Sequence, residues 1–519
     1  MNRTLTALAL VLFAPLAALH AAEQPASFYY QPPGAIFGDP VPFYHDGVWH
    51  VFYLHRRIDA AGAFPADSAH EWFHLVSRDL VRWEKQPPAL LADENDRVIA
   101  TGSIVEQDGV FHAFYSTRNR ADKGPGLASV RVATSRDLVT WTKQPGEPLL
   151  LLKRDVPVLG TYESEPHFRD PHVFWNPQAK EWWLAIAVQQ KLDPAYSYAG
   201  AVALATSQDL RKWTLRREPM LASREGPASE CPDVFPFGKG WALIYYTDTT
   251  RIRLAETLGG PWHRPASDAP WGLHLHAAKT MSDGKRRILI GFVPRVASDF
   301  AEHEYGGVMA LPRELYADAK GQPAVRLVPE VIAACKDAAT AGKGAHVFVP
   351  AKPDPVTATD TTLTLAPPTG QSALAAWTTA PTDYLLTGEV TLSEGASLTL
   401  LLRRNQKAKP PGGGPRVSLD DSYALTLDAQ TQAVTLRRQH DGWNRMPNLR
   451  TQSIALPTDR PVKLHVILHG DVLEAFVDDR ISLSARVHLP SGGLALLARD
   501  GTVRLNHLRI AHLPDGRKP

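Results

Sequence analysis

The sequence predicts an all-β protein, a five-bladed β-propeller followed by a C-terminal β-sandwich. Three observations carry that prediction. Five hairpin-like segments recur at intervals of roughly 45 to 70 residues, the period of a propeller blade. A Ser-x-Asp-Leu-x-x-Trp turn alternates with them. After Glu314 the texture changes to short alternating strands separated by turn residues, the pattern of a sandwich.

Size and composition agree with two domains. The chain has 519 residues, 44% of them hydrophobic and 21% charged, as in an ordinary globular protein. A formal net charge of +2 and the lack of any basic block interleaved with aromatics exclude a nucleic-acid or polyanion surface. Residues 1–22 read as an export leader, with Arg3, an apolar run from Leu5 to Leu19 and a small-residue exit at Ala21-Ala22. The run is shorter than the roughly 20 residues of a membrane span, and Pro15 interrupts it. The expected product is therefore periplasmic or extracellular, free of the membrane once the leader is removed. Its two cysteines, Cys231 and Cys335, are too far apart in sequence to suggest a disulfide framework.

The propeller is expected over residues 23–325. Its first hairpin runs from Ile36 to Tyr53 around Asp46-Gly47, a turn that needs φ > 0 and is among the strongest hairpin signals. The second turns at Asp108-Gly109, the third after Asn176-Pro177, the fourth at Gly238-Lys239 and the fifth at Asp283-Gly284. Between them lie Ser77 to Trp83, Ser135 to Trp141 and Ser207 to Trp213, each a strand end running into a polar turn that closes on tryptophan. Residues 326–370 read as a linker plus a first sandwich strand, and 371–519 as the sandwich. Its expected strands are Tyr384 to Leu392, Ser397 to Leu402, Ser422 to Leu427, Ala433 to Arg438, Val462 to Leu468, Val472 to Val477, Gly493 to Ala498 and Val503 to Ile510. Gln406 to Pro415, rich in Pro and Gly, reads as a loop.

The chemistry is expected on the propeller. Asp39, Asp170 and Glu230 lie at similar distances ahead of the turns of their own hairpins, and Thr101-Gly102-Ser103 holds a similar place in the second. Matched strands around a common axis would bring three carboxylates into one funnel. Like charges held close cannot all ionise cheaply, so one retains a proton to donate. A protonated acid beside an ionised carboxylate is what cleavage of a glycosidic bond requires. Glu230, the longest of the three, is the natural acid. Trp72, Phe37 and Trp271 are candidates to stack on sugar faces. His274-x-His276 would share one face of a strand, but no third ligand accompanies the pair, so no metal is expected. No phosphate loop or nucleophile elbow is present, and no cofactor is expected.

Gly38-Asp39-Pro40, Thr101-Gly102-Ser103, Phe168-Arg169-Asp170-Pro171, Glu230-Cys231-Pro232-Asp233 and Tyr305 to Leu315 occur in that order. Together they resemble the motif set of glycoside hydrolase family 32, the invertase, levanase and inulinase family, over nearly the whole chain. The resemblance implies retaining hydrolysis of terminal β-fructofuranosyl units from sucrose or fructans. Asp39 would be the nucleophile, Glu230 the acid/base and Asp170 the transition-state stabiliser, with Arg169 orienting Asp170. The expected substrate contacts are Trp72, Thr101, Ser103, Leu54 and Phe37 besides Arg169, and the resemblance implies neither metal nor cofactor. Gly38 stands where the family motif has Asn, Val41-Pro42 where it has Asn-Gly, and Leu54 where a Gln usually contacts the sugar. The residues alone leave open an inverting arabinanase- or xylosidase-type propeller, a fructosyl-transferring enzyme, and a carbohydrate-binding propeller without turnover.

Overall fold

The computed structural model describes residues 28–514 apart from 95, 97, 119–127, 147, 152–167, 191–198, 224, 227, 300, 341–344, 349–354, 378–380, 405–421, 440–447 and 490–491. The expected leader and the loop at 406–415 lie outside the described residues. What is described is all-β, with a single short helix at Pro329–Ala334. No described helix is long and apolar enough to cross a membrane.

The five hairpins pair Ala35–His45 with Val48–Arg57, Val98–Gln107 with Val110–Arg118, Arg169–Asn176 with Glu181–Gln190, Glu230–Phe237 with Gly240–Tyr246, and His276–Ser282 with Arg287–Val296. Asp46 and Gly47 take φ of 46° and 78°, and Asp108 and Gly109 take 54° and 72°, as a two-residue hairpin turn demands. The five leading strands pack side by side in a closed circuit, each touching the next and the fifth touching the first. They therefore line a common axis. Hydrogen bonding divides this half of the chain into four sheets rather than five, because Phe37 pairs with Gly307 of His303–Met309 and fuses the first and last blades into one nine-stranded sheet.

The repeated turns explain their own sequence. Asp79 Oδ1 accepts the backbone N–H groups of Val81 and Arg82 at 3.0 and 2.8 Å, and Asp137 and Asp209 repeat the arrangement. The next residue, Leu80, Leu138 or Leu210, is held at φ near 60° and is buried. A bulky side chain in the left-handed region is strained, so the aspartate's hydrogen bonds and the burial of leucine must hold it there. Those two requirements account for the Asp-Leu core of the repeat.

The C-terminal half is a pair of sheets. One runs Val356–Ala358, Thr362–Leu365, Val503–His512, Tyr384–Leu392, Val462–His469, Val472–Val477, Ile481–Arg486, with Lys336–Thr340 also paired to Val503–His512. The other runs Ala345–Phe348, Ser372–Trp377, Gly493–Arg499, Ser397–Arg404, Ser422–Asp428, Ala433–Gln439, Asn448–Ser453. Leu386, Leu400, Leu425, Leu464 and Leu496 fill the space between them. Residues 326–370, read as a linker with one strand, contribute four sandwich strands. Their Ala-, Thr- and Pro-rich segments lack the apolar alternation that would have announced them.

The halves share a core, with Leu385, Ile467, Val472 and Phe476 packed among propeller residues. At that junction Arg313 is ion-paired with Glu474, neither side chain having any exposed surface. Ser482 Oγ accepts from Arg313 Nη1 at 3.0 Å, Leu311 N–H donates to Glu474 Oε2 at 2.9 Å and Ser484 Oγ donates to Oε1 at 2.7 Å. A buried ion pair is tolerated when its remaining hydrogen-bonding capacity is satisfied in this way.

Candidate active site

Every leading strand carries a β-bulge at the same level. Pairing shifts between Phe37 and Pro40, Ile99 and Gly102, Arg169 and His172, Glu230 and Asp233, and His276 and Lys279. In each case two residues of the leading strand face one of its partner. Such bulges bend a strand and re-aim its side chains. Asp170, Cys231 and Ala277, the first bulge residues of the last three strands, take φ of 64°, 49° and 46°.

The three acids occupy successive positions around this bulge rather than one matched position. Glu230 is the last paired residue before its bulge, Asp170 is the first bulge residue and Asp39 is the second. Simple spacing could not show this, because the inserted residue turns the chain. The acids converge all the same. The Cys231 thiol lies 3.6 Å from Asp39 Oδ2 and 3.7 Å from Asp170 Oδ2. Arg169 is ion-paired with Glu230, and its Nε is 3.9 Å from Asp170 Oδ2.

Each carboxylate is held differently. Asp39 Oδ2 accepts from Thr101 Oγ1 at 2.6 Å, and Oδ1 accepts from the Tyr305 hydroxyl at 3.2 Å. Burial, then the neighbouring Asp170 and Glu230 charges, push Asp39 up to about 7 against those two hydrogen bonds. Asp170 accepts the Cys231 backbone N–H at 3.0 Å while its own N–H donates to Ser116 Oγ at 2.7 Å. Burial and the Glu230 charge raise it, with Arg169, the Cys231 N–H and Lys279 opposing. Burial drives the Cys231 thiol well above its ordinary range, and the three carboxylates add to the effect. It is a neutral spacer between two acids, not a nucleophile.

Beneath them lies a cation that the sequence reading did not single out. Lys279, 2% exposed, donates from Nζ to the carbonyls of Gly102 and Pro232, both at 3.0 Å. It ties the fifth leading strand to the second and fourth. Burial lowers it, and Asp233, Cys231, Asp170 and Asp39 hold it up. Asp233 in turn accepts from the Thr280 backbone and hydroxyl at 2.6 and 2.7 Å and lies 3.3 Å from His172. Tyr246, opposite Glu230 across the hairpin, bonds to His276 Nδ1 at 3.0 Å. The fifth hairpin's weak sequence signal concealed Lys279. Tyr305 carried only its place in the closing segment.

Several expected contact residues sit elsewhere. Trp72 has no exposed surface and donates its indole N–H to the Ala100 carbonyl at 2.9 Å. Phe37 is equally buried, stacked on Tyr53 at 4.6 Å, and Leu54 is only 2% exposed. Trp271, fully buried, bonds to the Thr250 carbonyl at 2.6 Å. A ring without accessible surface has no face to lay against a sugar, so the stacking expected of Trp72, Phe37 and Trp271 is corrected to packing. Ser103 is buried and accepts the Val173 N–H at 2.8 Å, joining adjacent leading strands. Thr101 and Arg169 are the two members of that set that touch the acids. His274, His276 and His303 cluster with ring centroids 3.8 to 6.2 Å apart, yet among the described residues no three His, Cys, Asp or Glu side chains are placed to hold a metal ion.

Three acids thus gather on the bulged inner strands of a propeller that is backed by a sandwich. Residues 29–326 match the model of the glycosyl hydrolases family 32 N-terminal domain, and residues 357–512 match that of the family's C-terminal domain. The chain belongs to glycosyl hydrolase family 32. It is 28% identical over 324 residues to the sucrose-6-phosphate hydrolase of Escherichia coli and 25% identical over 338 residues to a fructan 6-exohydrolase of Beta vulgaris. Those matches cover 56% and 58% of this chain but only 61% and 53% of the relatives' lengths. Among solved structures, the exo-inulinase of Aspergillus awamori superposes with a TM-score of 0.67 at 18% identity, covering 96% of this chain and 100% of that one. The sucrose-6-phosphate hydrolase of Lactobacillus gasseri gives 0.66 at 17% identity, covering 96% and 95%. Likeness at that identity speaks to the fold.

Proposed function

We propose that this chain is an exported, retaining glycoside hydrolase that releases terminal β-fructofuranosyl units from sucrose or from fructans such as levan and inulin. The observation that carries the reading is the convergence of Asp39, Asp170 and Glu230 on one set of bulges in a family-32 fold. In the first step the Asp39 carboxylate attacks the anomeric carbon while Glu230 gives its proton to the departing oxygen. A fructosyl ester on Asp39 results. Glu230, now ionised, takes a proton from water, and the water oxygen attacks the same carbon to release fructose and free Asp39. Asp170, fixed by the Cys231 N–H and neighboured by Arg169, holds the sugar's hydroxyls and supports positive charge at the ring during both steps. Neither step requires a metal or cofactor.

The test is a product screen against sucrose, inulin, levan, arabinan and aryl furanosides, with the anomer of the first-formed sugar followed by NMR. Fructose released with retained configuration supports the proposal. Arabinose without fructose would overturn the substrate, net inversion would overturn Asp39 as nucleophile, and binding without release would leave a lectin-like propeller.

A further inference from the structure

From the packing around Gly38 we infer that Tyr305 is a positioning residue for Asp39, its hydroxyl standing where a side chain at position 38 would otherwise project. The inference rests on the reading of Asp39 as nucleophile and adds to it a partner supplied by the strand that closes the propeller.

The geometry is specific. A Cβ built on Gly38 would stand 2.7 Å from the Tyr305 hydroxyl oxygen, 3.0 Å from the Leu54 carbonyl oxygen and 3.1 Å from Leu54 Cβ. Gly38 is not among the glycines with positive φ, so its backbone does not demand glycine. Space demands it. The room left free is taken by the phenol, which donates to Asp39 Oδ1 at 3.2 Å. Thr101 holds the other oxygen, so the carboxylate is gripped from both sides of the ring of strands.

Tyr305 is itself well fixed. Its ring stacks on His70 with centroids 5.4 Å apart and planes 9° from parallel, and meets the Phe292 ring edge-on at 5.9 Å. Burial and the Asp39 charge keep the phenol protonated, so it serves as a donor. A fixed donor favours the carboxylate over the acid and restricts rotation about the Cβ–Cγ bond, and both effects prepare Asp39 for attack.

Tyr305→Phe removes only the hydroxyl. The expected result is a loss of roughly tenfold in kcat/KM and an upward move of about one unit in the Asp39 titration, the worth of one hydrogen bond to a charged group. A ¹³C-observed titration of the Asp39 carboxyl reads the second effect without any substrate, so it tests Tyr305 even if the proposed reaction fails. Gly38→Ala supplies the complementary arm. Alone it should impair kcat/KM by pressing on the phenol, and in the Tyr305→Phe background its penalty should shrink, a non-additivity expected only of groups competing for one space. An unchanged Asp39 titration in Tyr305→Phe, or strict additivity of the two substitutions, would overturn the inference.

Discussion

Arg169 pairs with Glu230, and the two hold equivalent places, each the last paired residue before the bulge of its own leading strand. The third and fourth strands thus meet through a charge pair at the level where the acids gather. Arg169 also neighbours Asp170, so one guanidinium serves two of the three carboxylates.

Removing that guanidinium should be costly for turnover and mild for folding, since both partners are partly exposed. Arg169→Gln is expected to lower kcat/KM by roughly 10²-fold, the scale of one lost electrostatic contact in a preorganised site. Glu230→Gln should cost roughly 10²- to 10⁴-fold on natural substrates, the share of a positioned acid. Much of the first step should return with an aryl fructoside whose leaving group departs without a proton. Steady-state and burst kinetics on the two substrate types check both expectations. Equal losses on both types would argue against Glu230 as the acid.

The pH dependence follows from Asp39. As the proposed nucleophile it would attack only in its ionised form, and burial with two acidic neighbours raises it to about 7. Below that value the group is neutral and idle, so the limb of the kcat/KM profile that reports its ionisation should lie near pH 7, with Glu230 required in its acid form at the same time. Asp170→Asn removes the neighbouring charge that contributes most after burial, and that limb should move to lower pH even though overall activity falls. A wild-type limb near the ordinary aspartate value of 3.8 would contradict this account of the site.

Much of this was legible in the sequence because the relevant signals are local. Asp-Gly turns fix hairpins, and the Asp-Leu pair of the repeated turn reports a hydrogen-bonded aspartate followed by a buried leucine at positive φ. Thr101 and the three acids could be picked out from their places ahead of the turns. What could not be read is the facing of side chains at the bulges. One extra residue reverses the in–out alternation, so Phe37 looks like a platform at the right end of a strand and is in fact core. Trp72, on Glu71–Ser77, is core because packing between neighbouring strands encloses it, which no local pattern reports. Lys279 and Tyr305 escaped for another reason. Their roles depend on contacts across the ring of blades, and no short-range pattern encodes those.

Lys279 should be both structural and electrostatic. Lys279→Met leaves the Gly102 and Pro232 carbonyls without their donor and takes a positive charge from beside Asp39 and Asp170. A loss of about 3 kcal/mol in unfolding free energy is expected for a buried charged donor removed from its partners. The acid limb of the pH profile should also move upward, since both aspartates lose a stabilising neighbour. Denaturant unfolding and the pH profile are read on the same variant. A stability loss with no movement of the limb would reduce Lys279 to a strut.

The Arg313–Glu474 pair makes the last prediction, because it joins the propeller to the sandwich where no water reaches either side chain. Glu474 also receives the Leu311 N–H and the Ser484 hydroxyl, and Arg313 donates to Ser482, so each charge is met from several directions. Arg313→Met strips the countercharge and leaves the carboxylate buried, which should cost about 3 to 5 kcal/mol. Replacing both, as Arg313→Met with Glu474→Gln, removes the stranded charge and should recover a large part of that loss, since an ion pair held away from water gains little over a neutral pair of similar shape. Equilibrium denaturation of the two variants beside the parent measures the difference. If the double variant is no more stable than Arg313→Met alone, the junction depends on the arginine's packing against Phe476 and its bond to Ser482 rather than on the charge it neutralises.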